Sequence, residues 1–234
     1  MILAVIVVLG FWAPWIQALD LGKRVSLLEW LALEISRAGL LRFTYSVPLV
    51  IVTGALLAFI GMVLRLWGTA YLGPGTVMSR QMQAGALQAD GPYRYLRNPL
   101  YLGTWFMLAA VAFLMPPTGA LVAVPLVTLF LLRLIFAEES FLRRKLGEPY
   151  RLYLLSVPRI FPSRRTSLPR GGATPRWGRA ILSEVNPIGV FVTLAIVSWT
   201  YDHELMLKAI LIGFGLSLIA RAMALHEQEA AKTA

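Results

Sequence analysis

The chain of 234 residues contains no cysteine. That absence excludes disulfides, thiolate metal sites and a cysteine nucleophile. Imidazole is scarce as well. Only His203 and His226 are present, and neither lies in a ligand-spaced cluster, so no zinc or iron site is expected. Charge is thin: 15% of residues are Asp, Glu, Lys or Arg, against about 25% in ordinary soluble domains.

What is present is apolar. Hydrophobic residues make up 58% of the chain, and mean hydropathy is +0.68. Runs near the length that crosses about 30 Å of hydrocarbon recur along it. The expected fold class is all-α, a polytopic integral membrane helical bundle of about five to six transmembrane helices around a helical hairpin core. The lipid bilayer is then the first partner, and little chain is left for a separate soluble domain.

Candidate spans run over about 2–19, 47–72, 99–115, 118–136, 187–201 and 205–224. The first lacks the basic start and small-residue cleavage site of a signal peptide, and Trp12, Pro14 and Trp15 follow its apolar run. It reads as a retained helix. Met115-Pro116-Pro117-Thr118-Gly119 separates the third span from the fourth, because proline cannot continue a helix ladder. A tight hairpin there places both its outer ends, near Arg97 and near Glu138, on one membrane face.

Residues 25–45 form a weaker helical segment, with Ser26, Glu29, Glu34, Ser36 and Arg37 on one arc, as an interfacial helix would have. Lys23, Arg24, Arg37 and Arg42 draw it toward the cytoplasm. If residues 65–98 are cytoplasmic too, the second span must enter from the opposite face, so the N-terminal topology stays open. Four regions follow: 1–46, an N-terminal span and interfacial helix; 47–162, the membrane core; 163–186, a basic linker rich in Pro, Gly, Arg and Ser; and 187–234, a C-terminal transmembrane hairpin and tail.

The net charge of +10 is unevenly placed. Between Phe141 and Arg179 lie ten lysines and arginines against Glu148 alone. Nucleic acid is one partner for such a cluster. Beside membrane spans, however, basic residues mark the cytoplasmic side and meet anionic headgroups, so no nucleic-acid partner is expected. No feature specifies an oligomeric state. The expected location is multi-pass in a bacterial inner membrane.

Three clusters can carry chemistry. The first is Leu64-Arg65-Leu66-Trp67-Gly68-Thr69-Ala70-Tyr71-Leu72-Gly73. Arg65 lies inside a span and either faces a partner or wet cavity or snorkels beside Trp67. The second is Gly91-Pro92-Tyr93-Arg94-Tyr95-Leu96-Arg97-Asn98-Pro99-Leu100-Tyr101-Leu102-Gly103. Gly91-Pro92 forces a turn, and Pro99 suits the first turn of a helix, whose free N–H groups attract anions. Arg94 and Arg97 add positive charge, while Tyr93, Tyr95 and Tyr101 add ring faces and hydroxyls. An aromatic belt with positive-inside arginines is the alternative. The third is Arg133 with Glu138-Glu139, followed by Gly147-Glu148-Pro149-Tyr150-Arg151-Leu152-Tyr153. Adjacent carboxylates repel, so a cation or hydrogen-bond donor should lie nearby, unless they mark a solvated helix end. Arg133 and Glu138 stand roughly 140° apart around a helix, so they flank a cavity rather than pair.

In this order and spacing, the three blocks resemble the isoprenylcysteine carboxyl methyltransferase family and the related phospholipid methyltransferases. The resemblance covers about residues 50–162. It implies S-adenosylmethionine as cofactor, in a cytoplasmic pocket closed over by the last core segment. Backbone contacts would come from Gly85, Ala86, Leu87 and Gln88, with Gly91 at the turn and Tyr93 lining the adenosine site. Asn98, Pro99, Leu100 and Tyr101 would border the methionine part. Glu138 would bind the cofactor with Glu139 close by. Arg133 would orient an acceptor carboxylate, and Arg97, Arg133 and Glu138 form the catalytic set.

The chain departs from the family at one position, where the usual Arg-His-Pro is Arg97-Asn98-Pro99. Asparagine still donates hydrogen bonds but does not titrate near neutral pH. The inventory suits methyl transfer, which needs alignment and water exclusion rather than metal or covalent catalysis. The expected activity is therefore carboxyl O-methylation of a lipidated, lipid-like or small hydrophobic acceptor entering from the bilayer. Phospholipid N-methylation and small-thiol S-methylation are alternatives within the class, and an amine acceptor would draw on Glu138 or Glu139 as base. An NADPH-dependent membrane reductase is the alternative of another class, because sterol reductases look similar in their final core segment.

Overall fold

The computed structural model describes residues 2–11, 25–72, 90–163, 171–200, 202, 205–206, 208–216 and 219. All regular structure among them is helical. In chain order the helices are α1 (Ile2–Phe11), α2 (Leu27–Arg37), α3 (Phe43–Leu72), α4 (Pro99–Ala112), α5 (Pro117–Leu146), α6 (Glu148–Ser156), α7 (Trp177–Ser183) and α8 (Val185–Ile196). A short 3-10 turn, Gly91–Arg94, precedes α4, and another, Val197–Thr200, follows α8.

Among the described residues, two helices are long and apolar enough to cross a bilayer by themselves, α3 and α5, each of 30 residues. At 1.5 Å per residue each reaches about 45 Å, more than the hydrocarbon thickness of about 30 Å. The basic end of α5, Arg143, Arg144 and Lys145, therefore has length to spare for the headgroup layer. The pair α7 and α8, broken at Glu184, makes a third span if it is counted as one, and α1 and α4 are shorter apolar helices. Of the expected spans 2–19 and 205–224, residues 12–19, 217–218 and 220–224 are among those outside the described residues.

The chain divides into two compact units. The first comprises Met1–Phe59, Met107–Pro125 and Val185–Ala234. Here Ser26 is not on the polar arc of α2 but caps it. Its hydroxyl accepts the N–H of Glu29 at 3.3 Å, while Glu29 reaches back to the Ser26 N–H at 2.8 Å. Two further N–H groups at that helix start, Leu27 and Leu28, donate to the carbonyls of Met115 and Phe113 at 2.7 and 2.9 Å. The donors a helix start leaves free thus meet acceptors left free after α4 ends. Leu28, Ala32, Val50 and Ile51 form the core beside them, with Phe113 packed against it. At Gly119 a side chain is impossible, because the Gly10 carbonyl occupies the place of its Cβ.

The second unit comprises Ile60–Phe106 and Leu126–Glu184. Within it α3 and α4 approach closely at Gly103, where a Cβ would lie 2.9 Å from the Gly61 carbonyl oxygen and 2.6 Å from Arg65 Cγ. Backbone cannot yield as a side-chain tip does. Gly103→Ala is therefore expected to cost about 1–3 kcal/mol, read as a lowered unfolding temperature in detergent. Trp105 Nε1 donates to Thr128 Oγ1 at 2.9 Å, holding α4 against α5. The α5 helix runs ten residues past the expected end at 136, so Glu138 and Glu139 sit within it rather than at a solvated terminus. Gly147 breaks it at φ +63°, and Pro149 near the start of α6 presets the next helix.

Candidate active site

Two groups of charged residues with buried carboxylates stand out in the second unit. The first centres on Glu139, which is 6% exposed. Arg159 donates to its carboxylate from Nη2 at 2.9 Å and from Nε at 3.1 Å. Arg97 Nη1 lies 3.2 Å from Oε1 on the other side. Asn98 Nδ2 donates to the same Oε1 at 3.2 Å and to the Arg159 carbonyl at 3.2 Å. Two guanidinium groups and an amide therefore satisfy one buried carboxylate, as a buried charge requires. Arg159 also lies over the Phe136 ring, 4.7 Å from its centroid.

Glu138 is one step further round α5 and only half-buried. Its Oε2 accepts the Tyr101 hydroxyl at 2.7 Å. Successive residues on a helix point about 100° apart, so the two carboxylates diverge. Glu139 turns into the protein and is held by arginines. Glu138 counts a neutral donor, Tyr101, among its interactions.

Backbone links fix the segment that carries Tyr93, Arg97 and Asn98. The Arg97 N–H donates to the Pro158 carbonyl and the Ser163 N–H to the Tyr95 carbonyl, both at 2.9 Å. Tyr153 on α6 donates its hydroxyl to the Tyr93 carbonyl at 2.9 Å. Gly91 takes φ +58° with the Tyr71 ring where a Cβ would be, so only glycine serves at this turn. Pro92 and Pro99 are fully buried on either side of the segment.

Among the described residues, three buried polar atoms here have no partner: Tyr93 Oη, Arg94 Nη1 and Arg97 Nε. All belong to residues 93–97. Buried donors without acceptors are rare in folded proteins, and three on five residues make this segment a candidate ligand site. Burial pushes the Tyr93 phenol well above its ordinary value, with further upward contributions from Tyr153 and Glu138. The hydroxyl accordingly keeps its proton through neutral pH and is available to donate. Burial, chiefly, also raises the Tyr153 phenol, and Tyr150 adds to the rise.

The second group centres on Arg65. Its guanidinium clasps Glu184 with two prongs, Nε to Oε2 at 2.7 Å and Nη2 to Oε1 at 3.1 Å. Thr69 Oγ1 also donates to Glu184 Oε1, at 2.7 Å. Arg65 is thus neutralised by a carboxylate and does not snorkel.

Of the expected site residues, Arg97, Asn98, Tyr101, Glu138 and Glu139 come together. Tyr93, Pro99, Leu100 and Gly91 line the adjoining segment, with Leu100 packed at Gly68. Gly85, Ala86, Leu87 and Gln88 lie outside the described residues. Arg133 is exposed on α5, and neither charged group includes it, because its place on the helix turns it away from Glu138 and Glu139. Asn98, where the family histidine was expected, acts as a double donor that ties Glu139 to the Arg159 backbone, a role that needs no titration.

Sequence reasoning missed Glu184, and treated Arg159 only as one of many basic residues. Glu184 falls in the stretch read as linker, yet α7 occupies part of it and Glu184 is 4% exposed. A signal was available. Between Glu148 and Asp202 it is the sole acidic residue, at the head of an apolar run. A lone carboxylate there and a lone arginine inside another apolar run should have been read as partners.

Residues 49–149 match the model of the phospholipid methyltransferase family, which is related to the isoprenylcysteine carboxyl methyltransferases. The matched stretch includes Arg65, Tyr93, Arg97, Asn98, Tyr101, Glu138 and Glu139, and ends before Arg159 and Glu184. Neither a curated protein nor a solved structure matches the chain. The match supports a membrane methyltransferase.

Proposed function

From a core that matches a family of membrane methyltransferases, we propose that this chain uses S-adenosylmethionine to methylate the carboxylate of a lipid-like acceptor. The observation that carries the reading is the run of three buried donors at Tyr93, Arg94 and Arg97 without partners among the described residues, with Glu138 close enough to Tyr93 to act on its charge. The donor set fits the cofactor. An amino-acid carboxylate would take the guanidinium N–H groups, and the adenosine or its ribose would take the Tyr93 hydroxyl. The positively charged ammonium and sulfonium would lie toward Glu138. The bound cofactor supplies an electrophilic methyl group on sulfur.

The protein's contribution is then alignment and dryness. An acceptor carboxylate is already ionised, so one of its oxygens forms the new O–CH3 bond as the S–CH3 bond breaks, and no proton moves. Sulfur leaves neutral, in S-adenosylhomocysteine. No residue need act as base, which agrees with a site in which arginines, not a histidine, surround the carboxylate beside Asn98. Arg133, exposed along a spanning helix, would meet an anionic group arriving through the bilayer. Its exposure is the reason to keep it as an acceptor-orienting residue rather than a cofactor ligand. The basic end of α5 suits the cytoplasmic side of the membrane.

The family match favours a second reading, methylation of a phospholipid amine, with Glu138 removing the proton. One experiment separates the two. Membranes containing the protein are given methyl-labelled S-adenosylmethionine, and the lipid products are treated with alkali. Label released as methanol marks a methyl ester and supports the carboxylate. Label retained on a headgroup nitrogen supports the amine. No transfer in either form, together with thermal stabilisation by NADPH but not by S-adenosylhomocysteine, would replace both with a reductase.

Tyr93 gives a test with opposite signs. Tyr93→Phe removes a hydroxyl that is buried and unpaired, so stability should hold or rise by about 1 kcal/mol. Affinity for S-adenosylhomocysteine should fall roughly fivefold, the worth of one hydrogen bond. Unfolding with and without the ligand measures both.

A further inference from the structure

Glu184 lies beyond the family-matched core, and its setting shows how it arrives there. Asp90, 8% exposed, accepts the N–H groups of Gly171 and Ala173 on its two carboxylate oxygens, each at 2.8 Å. The Arg176 N–H donates to the Ala70 carbonyl at 2.8 Å. Residues 171–176 are therefore pinned at both ends, and α7 follows at once. It delivers Glu184 to Arg65 and Thr69, 119 and 115 residues away in sequence.

The pair formed there borders the candidate site. Arg65 Nη1 donates to Thr104 Oγ1, whose hydroxyl donates in turn to the Leu100 carbonyl at 2.8 Å. Thr104 stands one helical turn after Tyr101, which holds Glu138. Adjacent turns of one α4 face thus grip a guanidinium and a carboxylate. The unpartnered Tyr93 hydroxyl lies by Gly68, where a Cβ would come within 3.4 Å of it. Gly68 is flanked on α3 by Thr69 and, one turn back, by Arg65. A guanidinium at this border repels a cation unless a carboxylate offsets its charge.

We propose that Glu184 is a positioning residue that neutralises Arg65, so that a cationic methyl donor binds where an unpaired guanidinium would repel it. The inference rests on the methyl-donor reading above and adds to it. The segment after the matched core becomes part of the donor site's charge balance, and Arg65 becomes a group that must be silenced for a sulfonium to enter.

The two forms of the cofactor make the test. S-adenosylmethionine carries the sulfonium charge, and S-adenosylhomocysteine has a neutral sulfur. Their affinities are measured by calorimetry on the full chain in nanodiscs, for wild type, Glu184→Gln and the double variant Arg65→Gln/Glu184→Gln. Glu184→Gln keeps the shape but leaves Arg65 unpaired. It should weaken S-adenosylmethionine roughly tenfold relative to S-adenosylhomocysteine, the scale of one partly screened charge. The double variant removes the surplus charge and should return that ratio to roughly twofold of wild type. A merely structural pair would weaken both ligands alike, and that result would overturn the proposal. So would a double variant that fails to restore the ratio, or failure of both variants to fold. Wild-type protein that binds neither ligand would instead refute the methyl-donor reading, before any variant is compared.

Discussion

Glu139→Ala is expected to lower folding stability by about 3 kcal/mol or more, the largest loss from any single side chain of the site. The carboxylate is 6% exposed and accepts from Arg97, Arg159 and Asn98. Removing one partner of a buried ion pair costs about 3–5 kcal/mol, because the remaining charge is left without compensation. Arg97, whose side chain is 12% exposed, would bear that penalty. Arg159 is 39% exposed and rests on Phe136, so water and the ring would recover part of its loss. The value should therefore fall toward the lower end. By the same argument Arg159→Ala is milder, at about 1 kcal/mol. Chemical unfolding of both variants in one detergent gives the order. If Arg159→Ala costs more than Glu139→Ala, the carboxylate is not the centre of this group.

Glu138→Ala should behave in the opposite way, losing methyl transfer by up to about a hundredfold while the unfolding midpoint scarcely moves. Glu138 is only half-buried, and among its interactions is the hydrogen bond from the Tyr101 hydroxyl at 2.7 Å. Its loss strands no buried guanidinium of the Glu139 group. A contact between a carboxylate and the cationic end of the cofactor is worth about 1.5–3 kcal/mol, up to about two powers of ten in kcat/KM for the donor. Tyr101→Phe, which removes that hydrogen bond and keeps the carboxylate, should cost roughly tenfold. Transfer from labelled S-adenosylmethionine measures both. Glu138→Gln then distinguishes the acceptors. A charge that only holds the cofactor affects donor KM, whereas a base for an amine affects kcat with a pH dependence that the variant loses. Full activity in Glu138→Ala would remove this residue from the mechanism.

The contrast between these two neighbours shows where sequence reasoning reaches its limit. Glu138-Glu139 announces a need for positive charge or donors, and the Pro116-Pro117 break implies that Arg97 and the two glutamates share a membrane face. Both inferences follow from local rules, the repulsion of adjacent carboxylates and the inability of proline to extend a helix. Which glutamate takes the arginines does not follow. It depends on the rotation of α5 about its own axis, and that rotation is set by packing. Arg133 was assigned by resemblance to the acceptor, and the same rotation leaves it exposed, away from the ion pairs. Arg159 and Glu184 were harder still, because no periodicity connects residues 20 or 119 positions apart across intervening turns.

Composition and patterning by themselves determined the solvent and the class: a chain this apolar, with so few charges, satisfies its backbone in lipid by forming helices. They also marked the segment from Gly91 to Gly103, since arginines, tyrosines and a Gly-Pro turn at the edge of apolar runs need partners. The tertiary structure decided the pairing. It gave Glu139 to Arg97 and Arg159, Glu184 to Arg65, and left three donors of the Tyr93 segment without acceptors among the described residues. The physical reason is one of range. Helix formation and membrane partition are governed by side chains within a turn or a span of each other. The neutralisation of a buried charge is governed by whichever opposite charge the packed helices bring within about 3 Å.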